Sequence, residues 1–320
     1  MSNEKILNMK LPSKLHDDLK QAAQERYISQ ASLVRMVLVE WVNSNNTKGE
    51  SASKLNAESA GGDNENSLKV TYQNPIDTST GLFDRAPQLH VGESRGVPVI
   101  TNKFNMTVPQ NVFLAKRNIV DYIWKSAKLE GLAVTYPDTD AIYNGLVVSG
   151  VSVDEILAIN NLKHAWRFIL DTLDYETNYQ FICKINQEVG SGNLIYGAGY
   201  LRSIPVTIGG TEWKPDIPSE SMVKEELLQI SGMSNPTDRA ITLMLHLMRR
   251  QLFVDGNKRT AMLAANHVMI SNGLGIISIP INKQSEFFTL LIEFYELGDM
   301  GKIKQFVYDN CIDGADFSAS

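Results

Sequence analysis

Apolar and polar positions alternate along residues 5–11, KILNMKL. Leu7, Met9 and Leu11 share one face, and Ile6, Asn8 and Lys10 share the other. A period of two predicts a half-buried strand. Pro12 and Ser13 end it and start a helix, with Ser13 as N-cap and Leu15, Leu19, Ala22 and Ala23 at helical spacing. A turn at Tyr27 and Ile28 leads to Ser29, a second N-cap, and to a helix carrying Val34, Val37, Leu38 and Trp41 on one stripe. One strand and two short helices cannot close a core, and a lone strand has no ladder partner. Pairing with the same strand of a second copy meets both needs, so a homodimer is expected, with assembly beyond the dimer left open.

The pattern then stops. Residues 43–67 hold Leu55 as their one large apolar side chain among Asn, Ser, Gly, Ala and charge. Such a stretch buries too little to offset its ordering entropy, which predicts a flexible linker over 47–67. Residues 68–110 contain several Pro and Gly without helical periodicity and read as an extended accessory segment. From Asn111 onward helical periodicity is dense, through 111–131, 140–148, 152–174, 222–248 and 260–272. Between these, GYLRSIPVTIGGTEWKP (199–215) alternates β-branched residues around Gly209 and Gly210 and predicts a β-hairpin. The expected architecture is mainly α: a small module over 1–46, then an all-α body over 111–320 carrying one hairpin.

Composition narrows the function classes. The 320 residues are 43% apolar and 21% charged, an ordinary globular balance, and exceed what one domain usually holds. A net charge of −6 gives no whole-chain signature of nucleic-acid binding, and residues 1–46 carry six Lys/Arg against five Asp/Glu. Two cysteines, Cys183 and Cys311, support neither a disulfide framework nor a structural zinc. No apolar signal core or bilayer-spanning run occurs in the sequence, so a cytoplasmic protein without membrane contact is expected.

The chemistry concentrates in QLFVDGNKRTA, residues 251–261. An apolar helix ends near Leu252, a glycine turn follows, and a new helix is expected from Arg259 or Thr260. Backbone N–H groups of Gly256, Asn257 and Lys258 at that helix start form an anion nest. Lys258 and Arg259 add positive charge, and Asp255 is placed to hold a divalent cation against phosphate oxygens. A nucleotide or phosphate site follows from these residues, although Asp-Gly-Asn is also an ordinary turn.

Two resemblances add to this reading. Residues 4–45 resemble the ribbon-helix-helix fold of the Arc, MetJ and CopG repressors. That likeness implies that double-stranded operator DNA is read by Ile6, Asn8 and Lys10, with a phosphate gripped near Ser29; Ile6 departs from the polar residue usual there. Asn and Lys suit base-edge hydrogen bonding. The body resembles the Fic/Doc (fido) family, whose motif runs His-x-Phe-x-Asp/Glu-Gly-Asn-Gly/Lys-Arg. Phe253, Asp255, Gly256, Asn257, Lys258 and Arg259 match it. Ser126, Glu130 and Gly131 resemble the family's inhibitory motif Ser/Thr-x-x-x-Glu-Gly/Asn. The 201–215 segment resembles its flap, with Ile204, Val206 and Ile208 docking a target protein by strand addition. The likeness implies ATP and Mg²⁺, and AMP transfer to a protein hydroxyl with the motif His as general base.

Two departures bear on activity. Gln251 stands at the His position, and a carboxamide has no basic site near neutral pH. Losing a positioned base costs about 10²- to 10⁴-fold in rate. Met262 stands where many members carry a second Arg that pairs with the inhibitory Glu, so Glu130 must pair with Arg259 or Lys258 or not act as a brake. The principal expectation is therefore a DNA-binding regulator whose degenerate Fic-like domain binds ATP or a partner protein. The alternative is an active AMP- or phosphotransferase that regulates its own promoter. A third reading takes the body as a protein-interaction platform.

Overall fold

Three reciprocal capping boxes start the early helices of the body. Thr107 and Gln110 open α1 (Val108–Arg117), Thr135 and Asp138 open α3 (Tyr136–Tyr143), and Ser152 and Glu155 open α4 (Val153–Asp171). Each box satisfies two backbone donors that a helix start otherwise leaves free. The computed structural model describes residues 100–316, together with Lys14. The strand and helices expected over 1–46, with Ile6, Asn8, Lys10 and Ser29, lie outside the described residues, as do the linker and most of 68–110.

Among the described residues there are ten α-helices, one 3₁₀ turn and one two-stranded sheet. Besides those named, the helices are α2 (Ile119–Leu129), α5 (Tyr179–Val189), α6 (Glu220–Ser231), α7 (Pro236–Arg250), α8 (Asn257–Ser271), α9 (Gln284–Leu297) and α10 (Gly301–Asn310). The organising element is α8. Every residue from Arg259 to Ile270 is buried, and α1, α4, α5 and α7 pack around it. A helix buried on all sides is a core rod rather than a surface helix, which explains its small and apolar run Ala261, Met262, Leu263, Ala264 and Ala265. Its first turn therefore presents Asn257 and Lys258 at a fixed end of the bundle.

The structure changes several boundaries. The 140–148 run is helical only to Tyr143, because Gly145 adopts φ 77° beyond the cap at Asn144. The 222–248 run divides into α6 and α7, with Pro236 at the first position of α7. The helix before the motif ends at Arg250 rather than near Leu252, and α8 starts at Asn257 rather than Arg259 or Thr260. The body helices begin at Val108, three residues before the expected boundary.

The expected hairpin is the main correction. Residues 201–215 form neither helix nor strand, with a bend at Ile204 and a turn at Gly209 and Gly210. The sheet that does form pairs β1 (Ile276–Ile277) with β2 (Ile312–Asp313), antiparallel, with Ile276 opposite Asp313. Pro205 removes one donor from the would-be ladder. A side chain, Arg202, takes the carbonyls of Ile204, Pro215 and Asp216 that strand pairing would have used. The alternation that predicted a strand survives as burial: Ile204, Val206 and Ile208 are half-buried, while Pro205 and Thr207 are exposed.

Candidate nucleotide site

The Phe253–Asn257 loop closes through one side chain. Asn257 accepts from Phe253 N–H (3.0 Å) and donates to the Phe253 carbonyl (2.8 Å), so both polar groups of Phe253 are satisfied while its ring is buried. Gly256 sits at φ 74°, where a side chain is strained. A Cβ there would also meet Ile195 Cδ1 at 2.8 Å and Val189 Cγ1 at 3.1 Å. This glycine is thus required by packing as well as by the turn.

The expected nest is reduced by one member. Gly256 N–H donates to Asp255 Oδ1 (2.6 Å). Gly256 offers α8 no side-chain cap, and the backbone N–H of Arg259 in its first turn helps to hold down the pKa of Glu130. Lys258 is partly exposed and Arg259 is buried.

Glu130 opposes these two cations. It is the C-cap residue of α2, its N–H bonded to the carbonyls of Ala127 (3.1 Å) and Ser126 (3.3 Å). Gly131 follows in the left-handed region at φ 82°, and Leu132 N–H closes back on Ala127 (3.1 Å). That helix end gives a physical meaning to Ser126 and Gly131: the one supplies a carbonyl to the last turn, the other reverses the chain, and Glu130 is left pointing at α8. Its carboxylate lies 3.2 Å from Lys258 Nζ and 3.5 Å from Arg259 Nε. The second approach is an ion contact without hydrogen-bond geometry, and both Glu130 Oε1 and Arg259 Nε are buried without a hydrogen-bond partner. Burial pushes the Glu130 carboxyl up, but Lys258 and Arg259 outweigh it and hold it below the usual carboxylate range.

Gln251 caps α7 in the left-handed conformation, at φ 47° and ψ 62°. Its Nε2 donates to the Met248 carbonyl (2.6 Å), which leaves Oε1 as an acceptor. Beside it lies Tyr295, 3% exposed, whose phenol burial pushes up, with Glu130's charge adding and a hydrogen bond from Gln251 opposing. Asp255 has a 64% exposed side chain, 3.7 Å from the Arg259 guanidinium. Among the described residues no group of three or more His, Cys, Asp or Glu could hold a metal ion. The lone exposed carboxylate of Asp255 suits Mg²⁺, which keeps most of its waters and takes phosphate oxygens besides.

His246, His267 and Trp213 occupy structural places. His246 is buried and contacts Glu226 (3.2 Å), which also holds Arg250. His267 is fully buried between Thr177 Oγ1 (2.7 Å) and the Thr172 carbonyl (2.9 Å). Trp213, near the flap tip, is half-buried with Arg249 stacked on its ring at 3.8 Å. Glu296 anchors the same tip through Thr211 Oγ1 and Glu212 N–H.

Sequence reading missed two residues that assemble the site. Asn186, fully buried on α5, donates to the Asp255 carbonyl (3.1 Å) and Thr260 Oγ1 (3.0 Å) and accepts from Gly199 N–H (2.8 Å). Arg202 holds the flap as described above. The available signal was a polar residue in an apolar setting: Asn186 in FICKINQEV, and Arg202 in a β-branched run.

Residues 176–269 match the Fic/DOC family model. Among curated proteins, the chain is 25% identical over 199 residues to the protein adenylyltransferase fic-1 of Caenorhabditis briggsae, covering 58% of this chain and 38% of that protein. It is 27% identical over 202 residues to the protein adenylyltransferase Fic of Drosophila grimshawi, covering 60% and 40%. The match thus spans about two-fifths of these relatives' length. Among solved structures, Fic-1 of C. elegans (residues 134–508) aligns with TM-score 0.54 at 22% identity over 62% of each chain. A Fic domain containing signaling protein of Bacteroides thetaiotaomicron aligns with TM-score 0.50 at 18% identity, over 66% of this chain and 94% of that one. At these identities the structures show a shared fold: a mainly α-helical Fic core. The relatives favour the transferase expectation over that of a DNA-binding regulator, whose proposed DNA contacts lie outside the described residues.

Proposed function

We propose that this chain, which carries a Fic/Doc family domain, is an ATP-binding protein adenylyltransferase whose nucleotide site is held by Glu130 and whose transfer step is slow. The observation that carries the reading is the cluster of Lys258 and Arg259 at the uncapped start of α8, opposed by one buried carboxylate. The residues fit a triphosphate: Arg259 Nε is buried and without a hydrogen-bond partner, Lys258 is reachable, and a helix start favours negative charge.

Bound ATP supplies the AMP group: a target-protein hydroxyl oxygen bonds the α-phosphorus as its bond to the bridging oxygen breaks, pyrophosphate leaves, and the hydroxyl proton passes to solvent. Lys258, Arg259 and the first N–H groups of α8 hold and orient the phosphates. Asp255 would hold an accompanying Mg²⁺, which would neutralise phosphate charge there. Gln251 Oε1 orients the incoming hydroxyl by accepting its hydrogen bond but takes up no proton, so this site forgoes about 10²- to 10⁴-fold of rate. The flap, with Ile204, Val206 and Ile208, offers backbone groups to a target segment. No helix among the described residues is long and apolar enough to cross a membrane.

The test is label transfer from α-labelled ATP with Mg²⁺, comparing the protein with Gln251→His. Faster labelling of the His variant supports the reading. Absence of labelling in both, with no ATP bound, contradicts it.

A further inference from the structure

Arg202 is a charged side chain only 2% exposed, in the first residues of the flap. Backbone carbonyls, not a carboxylate, take its guanidinium N–H groups. Nε donates to Gln251 O (2.5 Å), the first terminal nitrogen to Ile204 O (2.8 Å), and the second to Pro215 O (3.2 Å) and Asp216 O (2.6 Å). The backbone joins at the same place, with Arg202 N–H donating to Leu252 O (3.0 Å). A guanidinium carries five N–H groups in a rigid fork, and this one makes four hydrogen bonds to three separate pieces of chain. Two are the outgoing and returning arms of the flap. The third is the peptide of Gln251.

That peptide needs holding. Gln251 is one of two non-glycine residues at positive φ among the described residues. Such a conformation is costly and persists only where the surroundings fix it. The carbonyl that Arg202 Nε grips belongs to this same residue, so the bond sets the direction in which the residue-251 side chain leaves the backbone. Burying an arginine for the sake of chain geometry alone is expensive, and a neutral residue would fill the space at lower desolvation cost.

We propose that Arg202 is a positioning residue that fixes residue 251 and both arms of the flap as one rigid unit, so that a docked target hydroxyl and the reacting position keep a constant register. Arg202 touches neither nucleotide nor target; it acts through the backbone of Gln251 and of the flap. The proposal rests on the transferase reading for its consequence, while its structural content stands independently. Small misplacements at a reacting position are costly in rate, because transfer requires a near-attack geometry. Lysine cannot replace the fork: its ammonium is a single point and cannot reach three chain segments together.

The experiment uses the full chain with Arg202→Lys and Arg202→Gln. Hydrogen–deuterium exchange is followed over peptides covering 203–216, 248–254 and, as a folding control, α4. Both variants are expected to exchange faster in the first two regions together, with α4 unchanged. In a Glu130→Gly/Gln251→His background, label transfer from α-labelled ATP is expected to fall at least tenfold, while the ATP concentration for half-saturation stays within twofold. Unchanged exchange in either region, or full activity in the lysine variant, overturns the proposal. If the parent binds no ATP, the transferase reading fails, and the exchange data alone decide the role of Arg202. If the glutamine variant does not fold, the lysine variant, which keeps the charge, decides it.

Discussion

The Glu130 carboxylate lies 3.2 Å from Lys258 Nζ, joining the end of one helix to the start of another across 128 residues of chain. The same carboxylate faces Arg259, so one acidic side chain occupies both cations of the turn before α8 without help from a second arginine. With Met262 at the position where that arginine is usual, the acid settles on the charges that remain.

Removing Glu130 therefore frees the site. Glu130→Gly is expected to raise ATP affinity about tenfold, equivalent to about 1.4 kcal/mol, when measured by titration calorimetry with Mg²⁺. Arg259→Ala in the same background is expected to lose that gain. Unchanged affinity in Glu130→Gly would show that the carboxylate does not compete with phosphate.

Acid should act in the same direction. The folded-state pKa of Glu130 lies below its ordinary 4.5, so the unfolded chain takes up the proton first. Its contribution to stability is present above about pH 4.5 and is lost as pH falls through the folded value. Denaturant unfolding from pH 6 to pH 3 should show the gap between the protein and Glu130→Gln narrowing toward the acid end. A gap that stays constant with pH contradicts the ion pairing.

Gly256→Ala tests the turn before α8. The substitution forces a side chain into the left-handed region and against Ile195 and Val189, at a combined cost of about 2–4 kcal/mol. The shift is read in the urea midpoint, and a loss well below 1 kcal/mol would show that the loop relaxes freely.

Much of this site was legible in the sequence, because its signals are local. The run from Phe253 to Arg259 announces a turn, a helix start and a charge pair within seven residues, and Glu130-Gly131 announces a helix end. The turn to Lys258 or Arg259 as partners for Glu130 was also anticipated, since no second arginine was available. What stayed hidden depends on distant contacts. Asn186 meets Asp255 and Thr260 across about seventy residues, and nothing local to α5 says so. The hairpin failed for a related reason: β-branched alternation gave the burial pattern correctly, yet the ladder acceptors go to Arg202. The two-residue strands at Ile276 and Ile312 are too short to leave any periodic trace.

His267 gives a second pH effect of opposite chemistry. Burial lowers its pKa from 6.5, with the Thr172 carbonyl and Asp174 opposing, so the folded state keeps the ring neutral. The unfolded chain then binds the extra proton, and stability falls as pH drops below 6.5 toward the folded value, by at most about 1.4 kcal/mol per pH unit. Between pH 7.5 and 5.5 the Tm of the protein should fall more than that of His267→Gln. Equal slopes would show that His267 titrates normally.

The central claim joins a nucleotide site closed by Glu130 to a transfer step weakened at Gln251. Label transfer from α-labelled ATP, measured side by side for the protein, Glu130→Gly, Gln251→His and the double variant, tests both parts together. Each single change is expected to raise the rate, and the double variant to be fastest, with the two gains multiplying. Equal labelling by the protein and Gln251→His would contradict the argument from the missing base, and a silent double variant would contradict the transferase reading itself.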